Sequence, residues 1–239
     1  MIRLLISALC LSFLACQTPK PQAPEIPDVP KPDRVWNVAF LIMEGVYNTE
    51  FTAPFDILHH TIFHTDPGMR VFSVARDHNP VKTFEGVIIQ PDFGYLTDSL
   101  PPIDVLVVPS AEHHLDTDLQ DSVMINWVRQ TGQQAQYVMS LCDGAFVLAQ
   151  AGLLENTVCT TFPSDIPAFR ERFPQLDVRE NVLFVHDGKA ITSAGGAKSF
   201  EPALYLSELL YGQKAAIGIG KGLVIDWDLA EIPCEIIMP

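Results

Sequence analysis

The sequence predicts a single-domain α/β fold in which an open, mostly parallel sheet is sandwiched between helices. Short apolar runs with the length of buried strands alternate with segments of helical periodicity along most of the chain. One apolar run begins at Tyr137 and ends in Cys142, and a small-residue turn then opens a helix, which is the layout of a nucleophile elbow. A chain of 239 residues, 48% of them hydrophobic, is long enough to bury one sizeable core.

The first half of the chain contains four predicted strands and two predicted helices. The strands are residues 35–43, 69–76, 87–92 and 104–109. We place the 87–92 strand at the periphery because Pro91 cannot donate to a β-ladder. The first helix is predicted to begin at a Thr52 cap, with Pro54 in its first turn, and to run to about Phe63. The second spans residues 122–133.

The second half continues the alternation and adds a hairpin. Residues 135–141 form the strand that leads into the elbow, and residues 144–154 form the helix after it. A short strand at 158–162 precedes a helix at 163–173 that Pro167 interrupts. Asp187-Gly188 predicts a tight turn between two strands, and Ser199 is predicted to cap a helix that ends at Gly212. The sequence does not place residues 214–239.

The first sixteen residues are predicted to be a signal peptide. A short positive segment is followed by an apolar run that suits a signal peptide and is too short to span a bilayer. The ending Phe13-Leu14-Ala15-Cys16 resembles a bacterial lipobox, in which Cys16 would carry lipid, although Phe13 departs from the usual Leu. An ordinary cleaved signal and an uncleaved anchor are the alternatives. Gln17 after the cysteine would favour the outer membrane, by the resemblance to lipoproteins.

Residues 17–34 are predicted to be a proline-rich linker before a domain at residues 35–239. Residues 18–33 contain six prolines and few side chains to bury, a composition typical of an extended, semi-rigid spacer. A spacer between a lipid anchor and a globular domain is typical of the cell envelope. We therefore expect the protein on the periplasmic side, anchored to the outer membrane.

The charge and the cysteine pattern exclude several classes of partner. A formal net charge of -14 argues against binding to nucleic acid, which requires a basic patch. If Cys10 is removed with the signal and Cys16 carries lipid, Cys142, Cys159 and Cys234 remain, so at least one thiol is free. The sequence has no CxxC pair, zinc spacing or glycine-rich phosphate loop, and we predict neither a metal nor a cofactor.

The predicted topology brings three loops together. Sites in open α/β sheets lie at the carboxyl ends of the strands, so the loops around Glu50, His113 and Cys142 should converge. A thiol at the N-terminus of a helix is favoured as thiolate by the helix dipole. The alternative for Cys142 is a buried cysteine at the end of a core strand.

Several segments of the chain resemble the ThiJ/PfpI superfamily, which has a class I glutamine-amidotransferase-like fold. They are residues 104–109, 140–154, 192–195 and 222–228, in family order, and the resemblance covers about residues 35–228. It is closest to the branch of isonitrile hydratase and the sensor domains of some transcription regulators. The resemblance implies a flavodoxin-like three-layer fold, Cys142 as nucleophile with Glu50 as the acid beside it, a small-molecule substrate and a homodimer.

Three departures from the family pattern alter the expected site. Asp143 stands where Thr or Ser is common; its carboxylate would oppose thiolate formation or cap the following helix. Phe162 replaces the family histidine in Thr160-Thr161-Phe162-Pro163. A glycine pair is replaced by Ser110-Ala111, whose N–H groups can still donate to developing charge. His113, or its neighbour His114, offers a replacement base; the alternative is that both are solvated.

Two functions follow from this reading. The first is a cysteine-dependent enzyme that acts on a small electrophile as a hydrolase, hydratase or glyoxalase-like enzyme, in which Cys142 attacks and Glu50 relays protons. The backbone N–H groups of Asp143 and of the Ser110–Ala111 loop would hold the developing charge. The second is a non-catalytic ligand-binding or redox-sensing domain that retains the elbow. We discard a transcription regulator, because too few residues follow Trp227 for a helix-turn-helix module and the charge has the wrong sign.

Overall fold

The computed structural model describes residues 22–238 as one three-layer α/β domain. The predicted signal peptide, the lipidation at Cys16 and the first residues of the predicted linker lie outside the described residues. The strands are β1 (Trp36–Leu41), β2 (Met69–Ala75), β3 (Val81–Lys82), β4 (Ile88–Ile89), β5 (Phe93–Gly94), β6 (Val105–Val108), β7 (Tyr137–Leu141), β8 (Val158–Cys159), β9 (Asp177–Val178), β10 (Phe184–Asp187), β11 (Ala190–Ser193) and β12 (Cys234–Ile237). The helices are α1 (Asn48–His59), α2 (Thr61–His64), α3 (Ser122–Gln134), α4 (Gly144–Gln150), α5 (Ile166–Arg172), α6 (Phe200–Tyr211) and α7 (Gln213–Gly222).

Eight of the strands form one sheet in the order β12-β10-β11-β7-β6-β1-β2-β5. All neighbouring pairs are parallel except the β10–β11 hairpin. From β1 the chain adds β2 on one side and later β6 on the other, so the strand order reverses at β1. The carboxyl end of the sheet beside β1 is therefore the place where a site is expected.

Alternate side chains of the central strands fill two cores on opposite faces of the sheet. Val105 and Val107 of β6 belong to the core that includes Leu204 of α6. Leu106 and Val108, the intervening residues, belong to the other core, which includes Phe146 of α4. A strand buried on both faces reads as a continuous apolar run, which is why β6 and β7 were identifiable in the sequence. The predicted fold class is confirmed.

The first helix begins five residues earlier than predicted, with Tyr47 rather than Thr52 at its N-cap position, and Thr52 lies inside it. The Thr52 hydroxyl donates to the carbonyl of Asn48 (2.7 Å), the alternative that a Thr side chain has to capping. The prediction of a Thr52 cap was therefore wrong, and Glu50 lies in the first turn of α1 rather than in a loop. Ser199 does precede α6, but its hydroxyl donates to the carbonyl of Gly196 (2.8 Å) and makes no side-chain cap.

Two peripheral pieces also differ from the predicted strands. Only Val158 and Cys159 of the 158–162 segment are extended, and they pair with β9 in a small separate sheet. The 87–92 segment contributes β4, which forms a hairpin with β3 outside the main sheet, in agreement with the peripheral position predicted from Pro91. The tail that the sequence did not place supplies α7 and β12, which pairs with β10.

The described part of the proline-rich segment is not a free spacer. Residues 22–34 contain no helix or strand, yet Ile26 and Val29 pack against the core and Pro32 is buried. Arg34 then donates through both terminal guanidinium nitrogens to Asp104 (2.9 and 2.5 Å). The segment therefore lies against the amino-terminal end of the sheet. Among residues 22–238, no helix has the length and apolar character needed to cross a bilayer.

Candidate active site

Cys142 occupies a strained turn between β7 and α4. Its φ of 52° lies in the left-handed region, which non-glycine residues rarely adopt and which strand-to-helix elbows use to raise a side chain above the sheet. The N–H of Cys142 donates to the carbonyl of Ser193 (3.0 Å), so the end of β11 holds the turn in place. The residue is buried, with 7% of its surface exposed.

Two glycines let neighbouring backbone approach the elbow closely. A Cβ on Gly195 would lie 2.5 Å from the Cβ of Cys142, and the φ of Gly195 is 71°. A Cβ on Gly144 would lie 1.9 Å from the carbonyl oxygen of Val108, at the end of β6. Both positions exclude larger residues, and they bring the ends of β6, β7 and β11 together around the thiol.

Glu50 connects the elbow at Cys142 to the segments that follow β6 and β11. It is buried in the first turn of α1 and accepts the backbone N–H groups of Ser110 and Gly196, each at 3.0 Å. Burial raises the pKa of the Glu50 carboxyl, whereas the two N–H donors and a hydrogen bond with the Cys142 thiol act to lower it. The carboxyl group therefore faces the thiol with its proton affinity increased.

Asp143 places a second carboxyl group against the same thiol. The thiol donates to Oδ2 (3.5 Å), and the Thr161 hydroxyl donates to Oδ1 (3.3 Å). Burial, followed by the negative charge of Asp165, raises the pKa of Asp143 to about 7. Asp143 stands at the N-cap position of α4 but makes no side-chain cap. Its carboxyl group is therefore committed to the cysteine rather than to the helix.

The two carboxyl groups and burial raise the pKa of the Cys142 thiol. Burial is the largest cause, followed by the negative charges of Glu50 and Asp143; the Ser110 hydroxyl and the Asp143 backbone act in the opposite direction. This direction is opposite to the thiolate expected from the helix dipole. Burial, the largest cause, disfavours the charged thiolate, and the two carboxyl groups add formal charges, whereas α4 contributes only partial ones. The site at rest holds a protonated thiol.

The N–H groups expected to form an oxyanion hole after β6 already have acceptors. The Ser110 N–H donates to Glu50, and the Ala111 N–H donates to Nδ1 of His114 (3.2 Å). The expectation that both bind developing charge in a substrate therefore does not hold in this structure. The Ser110 hydroxyl is fully buried and makes no hydrogen bond of ordinary geometry with any residue in the 22–238 range.

Sequence comparison assigns most of the chain to one protein family. A sequence model described as the DJ-1/PfpI family matches residues 36–209. The chain belongs to the DJ-1/PfpI family. This agrees with the ThiJ/PfpI resemblance read from the elbow and from the segments around it.

Relatives of this chain include an enzyme and regulators. It is 29% identical to the isonitrile hydratase of Pseudomonas putida over 182 residues, covering 75% of this chain and 74% of the relative. It is 30% identical to the HTH-type transcriptional regulator CdhR of Pseudomonas aeruginosa over 187 residues, covering 78% of this chain and 54% of the regulator, or about half of its length.

Solved structures show the same fold. The crystal structure of Drosophila melanogaster DJ-1beta has a TM-score of 0.69 at 22% identity and covers 81% of this chain and all of that one. A THiJ/PfpI family protein from Pseudomonas syringae has a TM-score of 0.72 at 23% identity, covering 82% of this chain and 77% of that one. At these identities the likeness shows the fold alone.

The structure separates the two histidines that were candidates for the missing family base. His113 is exposed, with its Nδ1 3.7 Å from Asp116, so it is not brought to the site as expected. His114 is fully buried; besides accepting the Ala111 N–H, it places Nε2 3.2 Å from the sulfur of Met43. Burial lowers the pKa of His114 to about 3, so it is a neutral support for the Ala111 loop rather than a base.

Two residues near the site were not singled out from the sequence. Thr161, buried after β8, donates to the carbonyl of Cys142 (3.1 Å) as well as to Asp143. Tyr47 is partly buried; burial, then the charges of Cys142 and Asp143, raises the pKa of its phenol. One sequence observation could have indicated Tyr47. It lies three residues before Glu50, which places the two side chains one turn apart on the same side of a helix start.

Phe162 occupies the position of the family histidine and is 38% exposed. It precedes a 3-10 turn, Pro163–Asp165, whose Asp165 carboxyl raises the pKa of Asp143. Compared with the pattern that the family resemblance implies, the site therefore lacks the imidazole at residue 162 and gains the carboxyl group of Asp143, with that of Asp165 nearby. The other free thiols, Cys159 and Cys234, have pKa values raised by burial to about 12 and about 11.

Proposed function

We propose that this protein is a cysteine-dependent enzyme that adds Cys142 to the electrophilic carbon of a small substrate. The observation that carries the proposal is one buried thiol held between two buried carboxyl groups, Glu50 and Asp143, whose pKa values are both raised. A pair of carboxyl groups close enough to interact ionises in two separate steps. Near neutral pH one group can accept a proton while the other donates one.

The chemistry of the addition step balances with these groups alone. An ionised carboxylate of the pair takes the proton from the Cys142 thiol as the sulfur–carbon bond forms. One π bond between that carbon and its neighbouring nitrogen or oxygen breaks, and its electron pair moves to the neighbouring atom. The protonated carboxyl group then supplies a proton to that atom or, when the substrate is an isonitrile, to the attacked carbon, whose lone pair takes it up to give a thioimidate. Glu50, which accepts N–H groups from the segments after β6 and β11 and interacts with the thiol, is the group we propose as the relay.

We propose hydration as the overall reaction, with water as the second reactant. The relative from P. putida is an isonitrile hydratase. With an isonitrile, water would add to the carbon of the Cys142 thioimidate, the sulfur–carbon bond would break, and the sulfur would recover its proton, which leaves an N-substituted formamide. The test is a screen of neutral isonitriles, amides and aldehydes with purified protein, following product formation by chromatography. Cys142→Ser should abolish turnover of any hit, while Cys159→Ser, which alters a buried thiol elsewhere, should retain it. Turnover that survives in Cys142→Ser would sink the proposal.

A ligand-binding or redox-sensing domain is the second candidate. It is favoured by the engagement of the Ser110 and Ala111 N–H groups, and the CdhR relative is a regulator. Reversible oxidation requires an accessible thiolate, and the raised pKa of Cys142 opposes that role more than it opposes ligand binding. Mass spectrometry after mild peroxide treatment distinguishes the two: selective oxidation of Cys142 would support sensing.

We also propose that the protein is lipidated at Cys16 and faces the periplasm from the outer membrane. The lipobox-like ending and the proline-rich segment after it support this proposal. Residues 26–32 lie against the amino-terminal end of the sheet, opposite the elbow, so the described chain approaches the domain from the side away from the site. Metabolic labelling of the full chain with a fatty acid tests it, because the wild type should incorporate the label and Cys16→Ser should not; a wild-type protein without label would contradict lipidation.

A homodimer is the remaining proposal from the family. The β3–β4 hairpin exposes three apolar side chains, Phe84, Val87 and Ile88, with Ile88 70% exposed. The ring of Phe84 packs on Tyr47 (4.8 Å between centroids), so a copy seated there would lie beside the site. Light scattering should give twice the chain mass, and Ile88→Glu should halve it. A monomeric wild-type protein at micromolar concentration would refute the dimer.

A further inference from the structure

We propose that the Ser110 hydroxyl binds the substrate atom that receives the electron pair when Cys142 adds, and that the substrate accordingly carries no negative charge. The inference rests on the proposed cysteine addition but assigns a role to a group outside the family pattern. Ser110 follows β6, and its hydroxyl is near enough to the thiol to lower the pKa of Cys142. It would be a catalytic residue because it contacts the reacting atom.

The Ser110 hydroxyl is buried without a strong hydrogen-bond partner. Ser110 has no exposed surface, and its Oγ makes no hydrogen bond of ordinary geometry with any described residue; its one polar interaction among them is a weak one with the Cys142 thiol. A buried polar group without a partner destabilises a folded protein, so few such groups persist without a reason. A hydroxyl that faces the reactive sulfur gains its partner when a substrate with an acceptor atom enters. The hydroxyl is therefore placed to make its first strong hydrogen bond with the substrate.

The backbone donors of the same loop already have acceptors. The Ser110 N–H bonds to Glu50 and the Ala111 N–H bonds to His114, which is too deeply buried to turn away. The loop is also held from the other side, since its Ser110 carbonyl accepts the N–H of Tyr47 (3.1 Å). The side-chain hydroxyl is therefore the donor of Ser110 that remains for a substrate.

The charge around the thiol indicates the class of substrate. Glu50 and Asp143 flank Cys142, and Asp165 acts on Asp143. The charged groups that shift the pKa of Cys142 most, Glu50 and Asp143, are both acidic, and neither would balance an anion beside the thiol. A substrate with a carboxylate or phosphate would be repelled. A neutral compound with a C–N or C–O multiple bond would be accepted, with its nitrogen or oxygen on the hydroxyl.

The test uses adduct formation by purified full-length protein, which needs no turnover. The neutral probe is 2-cyanopyridine, and the anionic probe is 6-cyanopyridine-2-carboxylate. In either adduct the Cys142 sulfur bonds to the nitrile carbon, one π bond breaks, and the nitrogen receives the electron pair and the thiol proton. Intact-mass spectrometry gives the rate. Ser110→Ala should slow the neutral probe on the order of 100-fold, as loss of one positioned donor does elsewhere.

Ser140→Ala is the matched control. Ser140 is also fully buried with an Oγ that lacks a partner among residues 22–238, but it lies within β7 and is not part of the proposed machinery. Both variants should melt at or above the wild-type temperature, because each removes an unpaired buried hydroxyl. Only Ser110→Ala should slow the adduct. Ser110→Gly, with the residue type of the family, should be slow as well.

The outcomes distinguish this inference from the function on which it rests. If Cys142→Ser abolishes the adduct but Ser110→Ala reacts within twofold of Ser140→Ala, the nucleophile stands and the Ser110 role is overturned. If the wild type forms no adduct, the nucleophile proposal fails and this inference falls with it. If the anionic probe reacts as fast as the neutral one, the neutral substrate class is wrong. If Ser110→Ala and Ser110→Gly melt well below the wild type, the hydroxyl is structural.

Discussion

Buried carboxyl groups lie at both ends of the parallel sheet, with different partners. At the amino-terminal end, Asp104 precedes β6, receives both terminal nitrogens of Arg34, and accepts the N–H of Asn37 (2.8 Å). At the carboxyl end, Glu50 and Asp143 receive backbone or hydroxyl donors and the Cys142 thiol, while no cation is among the groups that shift their pKa values. Both ends bury acids to a similar extent.

The difference lies in what compensates for burial. Arg34 carries a permanent positive charge and satisfies both oxygens of Asp104 in a fork, which is the geometry of a structural ion pair. Glu50 and Asp143 have neutral donors only, so burial leaves them with raised pKa values and a tendency to hold a proton. An acid paired with a cation contributes stability, whereas an acid without one retains proton chemistry. The comparison therefore predicts which substitutions affect reactivity and which affect folding.

Glu50→Gln should have the largest effect. An amide keeps the shape but presents an NH₂ group to one of the two backbone donors, Ser110 or Gly196, so one buried N–H loses its acceptor. The free energy of unfolding should fall by about 1–3 kcal/mol. The adduct rate of Cys142 with 2-cyanopyridine should fall on the order of 100-fold, as for loss of a positioned proton carrier. Urea titration and mass spectrometry measure the two quantities.

The opposite outcome for Glu50→Gln would assign Glu50 a structural role. A variant that loses stability but forms the adduct at the wild-type rate would show that Glu50 is a structural clamp like Asp104. The comparison between the two ends would then rest on Asp143 alone.

Asp143→Asn should have a smaller effect that depends on pH. The pKa of Asp143 is raised from its ordinary 3.8 to about 7, so between these values the folded protein binds more protons than the unfolded chain. Stability therefore falls as pH rises through this window, and the penalty is complete above pH 7. Between pH 5 and 8 the wild type should lose on the order of 2 kcal/mol relative to Asp143→Asn.

Adduct kinetics give a second measurement for Asp143. The wild-type rate should show an inflection near pH 7 that Asp143→Asn lacks. The rate at the optimum should fall only about 10-fold, because Glu50 remains to carry protons. If the wild type and Asp143→Asn show the same pH dependence of adduct rate and of stability, Asp143 takes no part in proton transfer at the site.

The sequence predicted the frame of the site but not its hydrogen bonds. Continuous apolar runs and a small-residue turn are local signals, and they were sufficient for β6, β7 and the elbow at Cys142. The partners of Glu50 lie 60 and 146 residues away in the chain, so no local pattern could indicate that its carboxylate takes up the Ser110 N–H. The identity of donors and acceptors in the site is set by tertiary packing.

Adjacent identical residues show the same limit. His113 and His114 are equivalent in composition and in predicted loop position, yet one is exposed and the other has no exposed surface. The turn after Ala111 decides which ring points inward, and that turn is fixed by the pairing of Val46 with Ala111. Ile26 and Val29 are a related case, since isolated apolar residues among prolines do not reveal the surface on which they pack.

Asp104→Asn should have the smallest effect on reactivity and is the counterpart of Glu50→Gln at the other end of the sheet. The amide keeps one acceptor oxygen but loses the forked pair with Arg34, whose side chain is 55% exposed, so solvent screens the lost charge. The free energy of unfolding should fall by about 1 kcal/mol. The adduct rate and its pH profile should match those of the wild type, because the two ends share no hydrogen bond and are separated by the length of β6. If Asp104→Asn slows adduct formation, the Arg34–Asp104 ion pair positions the residues at the carboxyl end of the sheet through β6. The division of the buried acids into structural and reactive ones would then be wrong.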